Sequence, residues 1–344
     1  MEPRFFGHQC LEPEVFWNDW QSAIEQGSSD IWLCCLGKRS RAASRFVWDL
    51  RKQVFPAVPS WLVTSVAFWQ ESFHFSQLRI VHADYHRVNF LTRRETTLPL
   101  PSMFDVRRRQ ILSHLAEPER PYAVLTVRET AQGEDLRNRD IREFEASIVL
   151  LIESGFNVIR LTSRTNNPVE FASPHLLDWQ VRVSGEPGDE LALVSGSRLV
   201  ISTTTGIDCL ALAYRRPVLY VDAARLFYVF LGTDLTTFQM PHMLDTESGF
   251  LLDLEQILDR GLGWTKHSDA FLDADVRVVN SSPEQLAEVV AEYLSIVSKK
   301  SPVDSEGLQD RWRELVTYHL GDSVTHRHGA IQARMHPATI RSLL

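Results

Sequence analysis

Four cysteines among 344 residues are too few for a disulfide framework, and Cys10, Cys34, Cys35 and Cys209 are not spaced as metal ligands. Core packing is the better reading of these thiols, since Cys34 and Cys35 lie inside the apolar run 31–36. No stretch approaches the ~18 apolar residues of a membrane-spanning helix. The first residues, with Glu2, Arg4 and His8, hold no apolar signal segment. A cytoplasmic protein is expected, with loose peripheral association with a membrane surface left open. Excess positive charge is also missing: the formal net charge is −8, which argues against a general nucleic-acid binder. The Walker lysine motif, Gly-x-Gly-x-x-Gly and Gly-x-Ser-x-Gly are absent, so kinases, ordinary dehydrogenases and serine esterases fit poorly. His319, His326, His328 and His336 lack ordered ligand spacing, and no metal site is expected.

What is present is the composition of a globular protein, 44% hydrophobic and 23% charged. The length allows two domains with sizeable cores. Helical spacing covers 12–26 and 42–54, a strand-like run covers 31–36, and the aromatic-rich stretch 56–79 reads as helices or as a lid facing an acceptor. A Pro-rich passage at 96–102 precedes a charged helix over 104–115, and 117–121 reads as a linker. The organisation expected is an N-terminal domain 1–116, a C-terminal domain 117–300 and a helical tail 301–344. From 122 onward the pattern becomes regular. Strands at 122–127, 157–161, 199–202 and 218–221 alternate with helices at 140–154, 190–195, after Gly206, and at 282–297, and a last helix covers 308–319. Such alternation predicts a parallel sheet covered on both faces, with ligands beyond the carboxyl ends of its strands.

The most informative stretch runs from Leu199 to Asp222. Three hydroxyls and a glycine (Thr203, Thr204, Thr205, Gly206) sit where a buried strand hands over to a helix. Free backbone N–H groups and the helix dipole favour an anion there, and the expected ligand is a phosphate, in particular a nucleotide diphosphate. Capping by one threonine is the plainer alternative. Arg128 emerges directly after a strand and suits bidentate phosphate binding, or pairs with Glu129. Asn138 lies in the polar loop that follows, where Asp140 reads as a helix N-cap. Arg160, charged inside an apolar strand, must reach a ligand or a carboxylate such as Asp178. Glu186 or Asp189 is placed to hold a sugar or ribose hydroxyl, though Asp189 suits a helix cap equally. Near the start, Gly7 and His8 with Glu12 fit an acceptor site in which His8 takes a proton.

As an ordered set these residues resemble a bacterial group of GT-B-type glycosyltransferases found with surface-polysaccharide genes. The similarity is carried by Arg4 to His8, Glu12 to Glu14, Thr126 to Glu129, Arg137-Asn138 and Gly155 to Arg160. It continues through Leu177-Asp178, Asp189-Glu190, Thr203 to Gly206, Pro217, Asn280 to Pro283 and His336 to Leu344. The donor half is also similar to that of heptosyltransferases. The resemblance implies an α/β, GT-B-like fold of two facing Rossmann-like domains with parallel sheets. It implies a nucleotide-sugar donor in the C-terminal half, a glycan or lipid-linked acceptor in the N-terminal half, and neither an obligatory metal nor a further cofactor. Two departures stand out: only Met1, Glu2 and Pro3 precede Arg4, so either a very short first strand or a later start site is expected, and Thr162 stands where the group often has glycine. The alternatives are another transferase acting on polysaccharide precursors, such as a pyruvyl transferase, or a non-catalytic nucleotide- or sugar-binding protein.

Overall fold

The run Tyr122–Thr126 is buried along its whole length, as a strand covered on both faces must be. Its side chains divide by the pleat: Tyr122 and Val124 join one apolar cluster, while Ala123, Leu125 and Val127 join another. The same division repeats in the neighbouring strands, with Val200 and Tyr220 on one side and Leu199, Ile201, Leu219 and Val221 on the other. The computed structural model describes residues 100–344, apart from 130–135, 163–166, 181–184, 187, 266, 299–306 and 329–330, together with residues 14, 25, 27, 47, 49, 50 and 52.

In chain order the strands are β1 (Tyr122–Thr126), β2 (Asn157–Thr162), β3 (Leu176–Gln180), β4 (Leu199–Ser202), β5 (Val218–Tyr220), β6 (Thr236–Phe238), β7 (His242–Asp245), β8 (Val276–Val279) and β9 (Arg334–Met335). Seven of them form one sheet in the order β3-β2-β1-β4-β5-β6-β9, parallel at every pairing. The other two, β7 and β8, form a separate antiparallel ribbon. The helices are α1 (Ser102–Leu112), α2 (Glu145–Glu153), α3 (Asp189–Gly196), α4 (Ile207–Ala213), α5 (Leu254–Asp259), α6 (Asp269–Asp273), α7 (Pro283–Val297), α8 (Leu308–His328, broken at Gly321) and α9 (Pro337–Leu343). Ile111, Leu193 and Leu210, from α1, α3 and α4, pack on one face of the sheet, and Ile148, Leu151, Leu286 and Val290, from α2 and α7, on the other. The molecule is therefore an α/β fold built on a parallel sheet.

Local chemistry explains several boundaries. Asp140 caps the 3₁₀ turn Ile141–Phe144 by accepting from Arg142 N, as its sequence position predicts. Ser282 and Gln285 form a capping box, with Pro283 in the first turn of α7. Gly155 closes α2 with φ 90, a conformation that a side chain would oppose. Three strands of the sheet go beyond the sequence reading: β3 is half-buried and mixed in polarity, while β6 and β9 span three and two residues. Runs that short have no measurable period.

The segment read as a linker is bonded to the sheet: Ala116 N donates to Pro174 O at 2.9 Å, Asn157 N to Pro121 O at 2.9 Å, and Asn157 Nδ2 to Glu117 O at 2.7 Å. Val47 and Leu50 share the apolar cluster of Ile111 and Val124. The segment read as a helical tail also supplies β9, which pairs with β6. The elements expected at 12–26, 31–36, 42–54 and 56–79 lie outside the described residues, apart from the isolated positions named above. Among the described residues no helix is long and apolar enough to cross a membrane.

Candidate functional site

The order β3-β2-β1-β4-β5-β6 reverses direction between β1 and β4. The chain leaves β1 for α2 on one face and leaves β4 for α4 on the other. A crevice at the carboxyl ends of such strands is the usual ligand position of a doubly wound sheet. The turn Thr203–Gly206 lies at that reversal. Thr203 N donates to Thr126 O at 3.3 Å, Arg128 N donates to Thr203 Oγ1 at 2.8 Å, and Thr126 Oγ1 lies 3.1 Å from Thr205 Oγ1.

The hydroxyls build the turn from inside. Thr204 Oγ1 donates to Thr203 O at 2.7 Å, Thr205 N donates to Ser202 Oγ at 3.2 Å, and Ile207 N donates to Thr205 Oγ1 at 3.3 Å. Thr203 and Thr204 are buried, and the solvent-facing part of the turn is Thr205 and Gly206. This modifies the expectation of three ligand-facing hydroxyls, because the buried donors and acceptors of the turn need one another. Thr204 has φ 61, a left-handed conformation that a β-branched residue adopts only when its surroundings enforce it. Gly206 precedes α4 with no side-chain cap.

Arg128 and Asn138 are brought together: they form a parallel bridge, and Arg139 N donates to Arg128 O at 3.0 Å. Beside them the Arg137 guanidinium lies 4.5 Å from the Tyr228 ring centre, and Arg225 lies 4.7 Å from the same ring. Tyr228 and Arg225 were not singled out in the sequence, because their partner Arg137 lies on a distant loop.

Beneath the turn sits a further residue that sequence reasoning missed, Asp208 in the first turn of α4. It is buried and accepts from Thr205 Oγ1 at 3.3 Å. Burial pushes its carboxyl up to about 7, against the hydrogen bonds of Ser202 and Thr205 and the charge of Arg137, which pull it down. Burial, with Asp208 nearby, also raises the Tyr220 phenol. The available signal was a lone carboxylate in the apolar run Ile207–Ala213.

A second buried group ties the end of β5 to α2 and α7. Arg139 pairs with Asp222 and donates from Nε to Glu143 Oε2 at 2.5 Å, and Ser281 donates to Asp222 Oδ1 from N at 3.2 Å and Oγ at 2.8 Å. Asp222 itself has φ 48, held by a 2.6 Å bond from its N–H to Gln239 Oε1.

Arg160, read as reaching either a ligand or a carboxylate such as Asp178, is 1% exposed and donates to Glu129 Oε2 at 2.8 Å, Asp178 Oδ2 at 3.0 Å and Asn167 O at 2.7 Å. The ion-pair alternative is the one the structure displays. Asp189, expected near a sugar or ribose, is 1% exposed and accepts from Arg107 at 2.7 and 3.0 Å, from Trp179 Nε1 at 3.1 Å and from Glu186 N at 2.8 Å. Glu186 is exposed, with Arg107 at 3.5 Å. This pair follows β3, which β2 separates from β1, so it does not line the crevice between β1 and β4. Gly7, His8 and Glu12 lie outside the described residues. Among the described residues no cluster of histidine, cysteine, aspartate and glutamate has the makings of a metal centre.

No family model matches this chain, and no curated protein matches it. Among solved structures it is similar in part to TibC, a dodecameric iron-containing heptosyltransferase determined in complex with ADP-D-β-D-heptose. The identity is 22% and the TM-score 0.24, over 32% of this chain and 29% of that one. The match therefore spans less than a third of either protein.

Proposed function

We propose that the protein is a GT-B-type glycosyltransferase that moves a sugar from a nucleotide-sugar to a hydroxyl of a glycan or lipid-linked acceptor. The observation that carries this reading is the meeting, at the reversal point of a doubly wound sheet, of a strained hydroxyl turn with Arg128 and Asn138. The bond between the sugar carbon and the diphosphate breaks as the acceptor oxygen attacks, and negative charge builds on the departing diphosphate. Arg128, with Arg137 beside it, stabilises that charge, and the N–H group at Gly206 binds one of its oxygens, so no metal is required. His8, from the N-terminal region, takes the proton of the acceptor hydroxyl.

The test is a thermal-shift screen against UDP, GDP, ADP, CMP and their common sugars, with and without EDTA. A nucleotide diphosphate that stabilises the fold equally in both supports the reading and names the donor class. Arg128→Ala is expected to impair turnover, whereas His8→Ala is expected to spare donor binding and abolish transfer. Normal turnover in both variants refutes the assignment. A binding protein without turnover is the second reading, favoured by the commitment of Arg160 and Asp189 to ion pairs. Ligand binding with no product from any acceptor would establish it.

A further inference from the structure

At the amino end of the sheet, opposite the crevice, three arginines lie on neighbouring elements, since Ala123 pairs with Leu199 and Val200 with Val218. Arg198 immediately precedes β4, Arg216 lies just ahead of β5, and Arg108 reaches across from α1. The Arg108 side chain lies over Gly196, where an added Cβ would sit 2.6 Å from its Cδ and 2.7 Å from both its Nη1 and Tyr122 Oη. Tyr122 Oη is itself fixed by donating to Leu193 O at 2.5 Å.

The charges of this cluster are poorly matched. Among the described residues Arg108 has one ion pair, with Asp105 on its own helix at 2.8 Å. Arg198 and Arg216 form none among the described residues, and the Nε of Arg216 is buried without a hydrogen-bond partner. Burial lowers the pKa of Arg216, Tyr122 opposes that shift, and the like charges of Arg108 and Arg198 add to it. The C-terminal ends of α3 and α4 point here and favour cations in general. For α4 that role belongs to Arg215, whose Nη1 donates to Leu212 O at 3.3 Å and Ala213 O at 2.6 Å. Arg215 thus serves the end of α4, Arg108 and Arg198 lie beside the end of α3, and neither helix end gives the buried Nε of Arg216 a partner. A buried donor without a hydrogen-bond partner, among like charges, is a favourable place for an anion. Planar guanidinium groups from several directions suit the tetrahedral oxygens of a phosphate.

We propose that Arg108, Arg198 and Arg216 form a second anion site, separate from the crevice, that binds a phosphate group at the amino edge of the sheet. The phosphate belongs either to a soluble phosphorylated molecule or to a lipid headgroup. In both cases Arg216 supplies the half-buried anchor and Arg198 the solvent-facing arm.

Inorganic phosphate titrated into the full chain at low ionic strength is the first probe. Arg198→Gln, an exposed change, is expected to weaken phosphate binding about tenfold, the scale of one charge-assisted hydrogen bond. The equally exposed Arg277→Gln, on β8, and Arg128→Ala in the crevice are expected to leave this site unchanged. Arg216→Met supplies an independent readout. Without phosphate it melts at or above the wild-type temperature, because a repelled charge is gone, and with phosphate it loses the wild-type gain. Unchanged phosphate affinity in both Arg198→Gln and Arg216→Met overturns the proposal, as does loss of that affinity in Arg128→Ala alone. Vesicles of phosphatidic acid in phosphatidylcholine identify the source: sedimentation of wild type but not Arg198→Gln assigns a headgroup, and failure to sediment, with inorganic phosphate bound, assigns a soluble ligand.

Discussion

Replacing Asp208 by asparagine removes an ionisation while keeping a side chain of the same shape. The folded protein holds this carboxyl protonated up to about pH 7, whereas an unfolded chain releases the proton near 3.8. Between those values the folded state binds the extra proton, so the contribution of Asp208 to stability is complete below the lower value and is lost as pH rises to the upper one. Crossing the whole window costs on the order of 4 kcal/mol. Asparagine escapes that cost, and its Oδ1 can still accept from Thr205. The variant is therefore expected to match wild type at about pH 4 and to exceed it by about 2–4 kcal/mol at about pH 8, the lower figure allowing for imperfect amide hydrogen bonds. His336 runs the other way: burial pulls it down to about 4 from 6.5, so its contribution is full at neutral pH and is lost as the solution is acidified. The two slopes offset each other in wild type, and Asp208→Asn uncovers the His336 slope. Urea unfolding of both proteins in steps across this range reads the difference, in which His336 cancels. A difference that does not grow with pH, or a variant less stable than wild type at about pH 8, refutes the account.

Arg160→Ala leaves the Glu129 carboxylate enclosed without its cation and Asp178 half-buried beside it, and is expected to cost about 3 kcal/mol in the same unfolding assay. If Arg160 touches no ligand, nucleotide affinity measured on the folded fraction stays at the wild-type value. Thr204→Gly relieves a left-handed residue and is expected to stabilise the protein by about 1 kcal/mol while weakening nucleotide binding, checked by melting and titration together. Arg107→Ala strips Asp189 of its cation and is expected to lower the melting temperature and hasten proteolytic cleavage between α1 and β1, with nucleotide binding retained.

Apart from β3, the strands from 122 to 221 were legible because each is a short apolar run bounded by turn residues. The turn at Thr203–Gly206 was legible for the same reason, together with its crowding of hydroxyls beside glycine. What stayed hidden was the destination of side chains. Arg160 meets Asp178 because β2 and β3 are register neighbours, a fact of sheet order that the local sequence does not contain. Asp189 meets Arg107 across 82 residues of chain. Asp208 looked like any carboxylate in a first helical turn until packing removed its water. The arginines of the amino edge lie on separate elements, and only the fold makes them neighbours.

Because β9 is its seventh strand, the sheet is finished late in synthesis. The neighbour of β9, β6, ends at Phe238, and residues 239–333 must be made before Arg334 and Met335 can pair with it. Until then β6, three residues long, is the outermost strand on that side, and its outer backbone donors and acceptors await β9. The same late arrivals bring the core positions Trp312, Met335 and Ile340, so the nascent sheet also lacks part of its apolar cover. Fast synthesis is therefore the condition in which pairing of β6 with another chain competes with the arrival of β9.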